Sequence, residues 1–230
     1  MSTSHGAIDR ATLRFLADLK KNNDRDWFTA HKDRYEAAMA DMRAFADALI
    51  ERMRRHDKIA TADGKEAMYR IYNDLRFHKD KPPYKEHLAG SLARVKPALR
   101  GGYYFHIAPG ASFIACGFWA PEPDDLKKIR TDILYDHPVW RKLLGAKRLR
   151  DHWGELEGEQ LKTAPQGFHK DHPAVDLLRY KQFIFSHAFS DKEVLAPDLA
   201  DRVDAHYRAI RPWLDHLSEV LTTDGNGNPL

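Results

Sequence analysis

The sequence predicts an α+β fold, a central, mostly antiparallel sheet with helices from the N- and C-terminal parts packed on it. Three observations carry this. Apolar residues recur at helical spacing over the first 55 positions and again beyond position 123. Residues 68–119 instead hold short β-rich runs separated by proline and glycine. These runs are grouped in the middle of the chain rather than alternating with helices, which favours segregated layers over a doubly wound parallel sheet. With 230 residues, 43% hydrophobic and 31% charged, the chain has material for a sizeable core, and residues 1–221 are expected to form one domain. Disordered and collagen-like classes are excluded.

Ile8, Thr12, Phe15, Leu16 and Leu19 recur at helical spacing, and the pattern stops at Asn22 and Asn23, which predicts a short first helix. Asn23 or Asp24 can cap a second, because Phe28, His31, Tyr35, Ala38, Met42, Phe45 and Leu49 follow along one face as far as about Arg55. Asp63-Gly64 is a tight-turn pair, and residues 68–75 mix apolar, aromatic and charged side chains in near alternation, as a half-buried strand does. Pro82-Pro83 removes backbone donors, so residues 76–84 are expected as a structured loop between two strands. Strand resumes over 86–95, and the runs 103–108 and 112–119, joined by Pro109-Gly110, predict a hairpin.

Pro123-Asp124-Asp125 opens a helix through Leu126, Ile129 and Ile133, and Pro138 opens another through Trp140, Leu143 and Leu144. Gly154 and Gly158 bracket a turn. A short helix is expected at 174–178 and a strand at 182–188, buried on both faces through Phe183, Ile184 and Phe185. A last helix spans 198–221, and Pro212 should kink or break it. Residues 222–230, rich in glycine and asparagine, are expected to form a flexible tail.

The 37 basic and 34 acidic side chains leave a net charge of only +3. That is too little for a protein whose whole surface meets nucleic acid or anionic lipid, so any anion binding must be local. The single cysteine, Cys116, has no partner for an internal disulfide, and the opening residues Met1-Ser2-Thr3-Ser4-His5 lack a signal-peptide pattern. No apolar run approaches the roughly 20 residues of a membrane span. The expected compartment is a reducing cytoplasm, with no membrane partner.

Positive charge gathers at residues 70–85, Arg-Ile-Tyr-Asn-Asp-Leu-Arg-Phe-His-Lys-Asp-Lys-Pro-Pro-Tyr-Lys. Five bases (Arg70, Arg76, Lys79, Lys81, Lys85) face two acids (Asp74, Asp80), a surplus equal to the net charge of the whole protein. Stiffening by proline lowers the entropy lost when several cations surround one anion, and the arginine fork suits carboxylate or phosphate oxygens. Ionised aspartates among cations can orient the arginines, hold a divalent metal beside a phosphate, or act as general bases. The bland alternative is a solvated surface of weak ion pairs. Tyr69, Tyr72, Phe77 and Tyr84 argue against it, since anchored like charges destabilise the fold until a counter-charge arrives.

This stretch resembles the signature of the family called domain of unknown function 2461, which runs roughly R-I-x-R-D-x-R-F-x-K-D-K-x-P-Y-K. The family's early F-L-x-x-L-x-x-N-N and W-F elements resemble residues 15–23 and Trp27-Phe28, and its later glycine and tryptophan resemble Gly117 and Trp119. The similarity extends to Ile129-Arg130, Pro165-Gln166-Gly167 and the run ending at Lys181, so it spans nearly the whole chain. Where the family often has arginine before the first aspartate, this chain has Asn73. The resemblance implies that Asn23, Trp27 and Trp119 belong with the central motif, as wall or anion-holding groups; the competing reading makes both tryptophans core residues.

Weaker features point elsewhere. His169-Lys-Asp-His172 offers two imidazoles and a carboxylate but no third distant ligand of fixed spacing, so no metal is assigned. His78, His87 and His106 lie in or beside expected strands and could converge on the basic segment. Cys116 in Phe113-Ile-Ala-Cys-Gly-Phe suits a small buried hydrophobe. The glycines make no dinucleotide or phosphate loop. Lys147-Arg148-Leu149-Arg150 resembles the cationic end of a helix.

The expected function is binding of a phosphorylated or otherwise anionic small molecule by Arg70, Arg76, Lys79, Lys81, Tyr84 and Lys85, with Asn23, Trp27 and Trp119 beside them. Were there a reaction, hydrolysis or transfer at phosphorus would be its class and Asp74 or Asp80 the catalytic group. Two alternatives stand: a single-stranded nucleic-acid binding module whose sheet presents Tyr and Phe to bases, and a structural ion-pair network serving a protein partner. Cofactor and oligomeric state leave no mark in the sequence.

Overall fold

A computed structural model of the chain describes residues 6–74, 76 and 81–224. In order the elements are α1 (Arg10–Lys21), α2 (Arg25–Ala30), α3 (Lys32–Met53), α4 (Gly64–Ala67), β1 (Leu88–Ala93), β2 (Gly102–Ile107), β3 (Ser112–Phe118), α5 (Pro123–Leu144), α6 (Lys147–Trp153), α7 (Val175–Leu178), β4 (Phe183–Phe189), α8 (Asp191–Val194) and α9 (Leu199–Thr222). The strands form one antiparallel sheet in the order β1-β2-β3-β4, with helices from both ends of the sequence packed on it, as an α+β fold requires. The chain gathers into two compact units, one of Met1–Leu92, Tyr104–Ile114 and Ala188–Ala205, the other of Ala93–Tyr103, Ala115–His187 and His206–Leu230.

In the first unit, Asp9 caps α1 by accepting from the Ala11 amide, and Thr12, Leu13, Phe15, Leu16 and Leu19 form its buried face. Asp24 caps α2 by accepting from the Trp27 amide. The single long helix expected from here to Arg55 is broken at His31, whose backbone leaves helical geometry (φ −120°, ψ 27°). Its Nδ1 lies 2.8 Å from the Trp27 carbonyl oxygen, and its ring stacks 4.2 Å from the Trp27 ring. Along α3, Met42, Ala46, Leu49 and Met53 are fully buried and Phe45 meets Phe105 of β2 edge-on at 5.7 Å.

Asp63-Gly64 is not an isolated turn. Asp63 accepts from the Glu66 amide and opens the one-turn helix α4. Nor do residues 68–74 make a strand: they contribute two isolated bridges, Met68 with Gly90 and Tyr72 with Tyr84. Pro82 and Pro83 lack the N–H groups a longer ladder needs, and Leu75, the end of the expected strand, is outside the described residues. Strands β1 and β3 fall within their expected runs, β2 begins one residue before its own, and Pro109-Gly110 turns the hairpin, with the Gly110 amide donating to Asp191 at 2.8 Å. Along β2, Tyr103, Phe105 and Ile107 are buried while Tyr104 and His106 are partly exposed, so one face of the sheet makes core. Helix α8 carries a capping box between Ser190 and Glu193 that the sequence reading passed over.

In the second unit, the two helices expected around Pro138 form one run, α5, with a kink at Asp136 (φ −131°, ψ 39°), two residues before the proline. Lys147-Arg148-Leu149-Arg150 begins α6 instead of ending a helix. Lys147 pairs with Asp151 one turn on, and Arg150, in the last turn where a cation suits the dipole, pairs with Glu155 beyond the helix. In β4, Phe183 and Phe185 are fully buried but Ile184 is partly exposed, so burial is on one face, not two. Helix α9 runs through Pro212 without the expected break. Trp213, Leu214 and Leu217 beyond it are wholly buried, and that packing outweighs one lost backbone bond. Arg94 is buried against α9, donating to the carbonyls of Leu214 and Arg100 and to Ser218 Oγ, and pairing with Asp215. The tail expected to be flexible lies mainly outside the described residues; Thr222 is still helical.

Candidate functional site

The ends of the basic segment are paired and clamped within the first unit. The Asn73 amide donates to the Pro83 carbonyl at 2.9 Å, and the Lys85 amide to the Ile71 carbonyl at 2.7 Å, on either side of the Tyr72–Tyr84 bridge. Asn73 adds a side-chain bond to the Pro82 carbonyl at 2.8 Å, which closes this pairing. Asn23, just before α2, uses both ends of its amide on the Tyr84 backbone, donating to its carbonyl at 2.9 Å and accepting from its N–H at 3.1 Å. Tyr84 stacks on Phe28 with 3.9 Å between centroids, and Tyr72 lies 5.4 Å from Tyr84. Burial first, and the neighbouring Tyr72 second, raise the Tyr84 phenol above its ordinary pKa.

The cations differ in their partners. Arg76 makes a forked pair with Asp74, Nε to Oδ1 at 3.0 Å and Nη2 to Oδ2 at 2.6 Å, and that bond raises its pKa. The Arg76 side chain is nonetheless 80% exposed. Lys85 Nζ donates to the Arg70 carbonyl at 2.7 Å. Arg70 and Lys81 are exposed and Lys85 is half-buried, and none of the three has an ion pair with a described residue. Lys79 and Asp80, with Phe77 and His78, lie outside the described residues.

The flanking candidates divide. Asn23 is tied into the hairpin. Trp27 is half-buried between His31 and Phe15, with the Arg34 guanidinium 6.0 Å from its ring. Trp119 belongs to the second unit and is 67% exposed, so it is not a core residue. A groove of about 450 Å³ lined by Asp9, Thr12, Arg14, Arg34 and Asp41 carries both signs of charge and includes none of the candidate residues.

The outer face of β1–β3 beside the hairpin holds a group that sequence reasoning named only in part. His87 stacks on His106 at 4.0 Å, His106 on Phe113 at 4.6 Å, and the Tyr104 hydroxyl lies 3.0 Å from His106 Nδ1. Tyr69, 6.3 Å from Tyr104, donates its hydroxyl to Ser91. Burial is the first cause lowering the His87 pKa and the Lys85 charge the second; burial, then His87, pushes His106 down to about 4. The alternation in Tyr103-Tyr-Phe-His-Ile placed Tyr104 and His106 on one face, but not which face meets solvent.

Among the described residues no group of three or more His, Cys, Asp or Glu is placed to hold a metal, and His169 and His172 lie in a loop. Cys116 is buried, and burial raises its thiol well above the ordinary value. No helix among the described residues is long and apolar enough to cross a membrane.

No curated protein matches the chain, and no solved structure does. Residues 11–216 match the model of a family described as Conserved hypothetical protein (DUF2461). That match takes in the clamped hairpin, the Asn23 side chain that holds it and most of both units, and the chain belongs to the DUF2461 family.

Proposed function

We propose that the chain binds a phosphorylated or other anionic small molecule through the basic segment of residues 70–85, whose ends are paired. The observation that carries this reading is the imbalance at a fixed backbone. Asp74 is engaged by Arg76, while Arg70, Lys81 and Lys85 have no carboxylate partner among the described residues. Cations held on a clamped hairpin repel one another, and an external anion relieves that repulsion with little further ordering. Both Asp74 oxygens accept from Arg76, which supports binding over proton transfer by this carboxylate.

The test is the melting temperature of the chain titrated with inorganic phosphate, nucleotides and sugar phosphates. A true ligand stabilises by about 2.7 kcal/mol at roughly 100 times its Kd. The Arg70→Ala, Lys81→Ala double variant should lose that stabilisation while melting, without ligand, no lower than the parent. Equal stabilisation of parent and variant would refute the assignment.

A further inference from the structure

The hairpin runs directly into the aromatic sheet face, and Lys85 belongs to both. Lys85 stands two residues before His87, at the bend that leads into β1. Lys85 lies close enough for its charge to act on His87. From His87 the rings continue through His106 to Phe113 with planes within 30° and 22° of parallel, and Tyr104 leads on to Tyr69. Rings stacked face to face turn their edges outward. No described residue bonds the His87 ring nitrogens or His106 Nε2, so polar imidazole edges remain for a guest. At neutral pH both imidazoles are uncharged, each with one donor and one acceptor nitrogen. Tyr69 is 47% exposed and offers an open ring at the end of the group.

A site for a bare anion needs only the cations, and a site for an acyl chain would be aliphatic. Here an open ring, neutral donor–acceptor edges and a cation without a carboxylate partner follow one another along one run of side chains. Resting on the anion-binding reading above, we propose that the anion carries a planar, polar-edged ring. The ligand is a nucleotide, its base against Tyr69 and the His87–His106 edge and its phosphate on Lys85. Base stacking on an aromatic side chain is sequence-tolerant, so the nucleotide is either free or part of a single strand.

Calorimetric titration of the full chain with AMP, ribose 5-phosphate, inorganic phosphate and a single-stranded ten-nucleotide DNA separates the cases. AMP, or the oligonucleotide per site, should bind at least about tenfold more tightly than ribose 5-phosphate. Tyr69→Ala should remove that advantage and leave phosphate affinity unchanged, with Tyr69→Phe retaining it. An unchanged melting temperature confirms that the half-exposed Tyr69 is dispensable for folding. Affinity that rises with strand length and falls steeply with salt identifies a strand as the source; tight AMP binding identifies a free nucleotide. Equal affinity for AMP and ribose 5-phosphate, with no gain for the oligonucleotide, overturns the ring assignment and leaves anion binding standing. If no phosphate compound binds at all, both fall.

Discussion

Asn23 shows what a single side chain can do for a site it need not touch. Its amide replaces a strand partner for Tyr84, bridging 61 positions of sequence. Asn23→Ala leaves a part-buried N–H and carbonyl unpaired and should lower stability by about 1–3 kcal/mol in urea unfolding. Cys116, with its thiol pushed up by burial, should resist a thiol reagent in the native chain and react once the chain is unfolded. Some roles at this scale were readable in advance: Asp24 precedes a helical pattern, and a short carboxylate there is a natural cap. Asn23 was legible only as a residue shared with a family, because a side chain that bonds distant backbone leaves no periodic trace. His31 fits the apolar spacing of α3, so nothing in the pattern revealed that its ring would fold back on Trp27 and end the helix.

Elements bounded by strong punctuation were legible, and those decided by packing were not. Pro109-Gly110 located the β2–β3 hairpin, and Pro123 with its aspartates located the start of α5. Residues 68–74 carry a strand's alternation, but a ladder depends on its partner, and the partner contains two prolines. Pro212 breaks helices in isolation, yet α9 continues because its far half is buried. Two substitutions probe such packing in the second unit. Gly117 adopts φ +126°, and a Cβ there would lie 2.1 Å from the Phe183 carbonyl oxygen, so Gly117→Ala should destabilise by about 3 kcal/mol. Arg94→Ala strips donors from two carbonyls and Ser218 where Arg94 is buried against α9, and calorimetry should register a loss of at least about 3 kcal/mol.

Across the whole molecule, two sets of titrations act in separate pH ranges. His106 is held at about 4 against an ordinary 6.5, with His87 lowered beside it. Tyr104, Lys85 and Glu86 are the other titratable groups around the pair. The unfolded chain takes up these protons more readily than the folded one, so stability is full above pH 6.5 and declines as pH falls towards 4. Asp18, Asp176, Asp198 and Glu159 are lowered chiefly by hydrogen bonds from Arg34, Arg141, Arg202 and Lys181, and their contribution starts to be lost only below 4.5 for the glutamate and 3.8 for the aspartates. Melting temperatures from pH 7 to 4 should therefore slope for the parent and flatten for His106→Gln; parallel curves would exclude the imidazoles as the cause.

The sheet also has two outer margins, and among the described residues each is covered at one point. Gly90 of β1 is met by Met68, and the Tyr69 amide reaches the Ala89 carbonyl; Ile184 of β4 is met by Glu157. Each guard is a residue or two wide, too short to lengthen the sheet, and engages the Ala89 carbonyl on one side and the Ile184 amide and carbonyl on the other. A second copy approaching sideways meets an edge already interrupted at that point, which shortens the template for pairing.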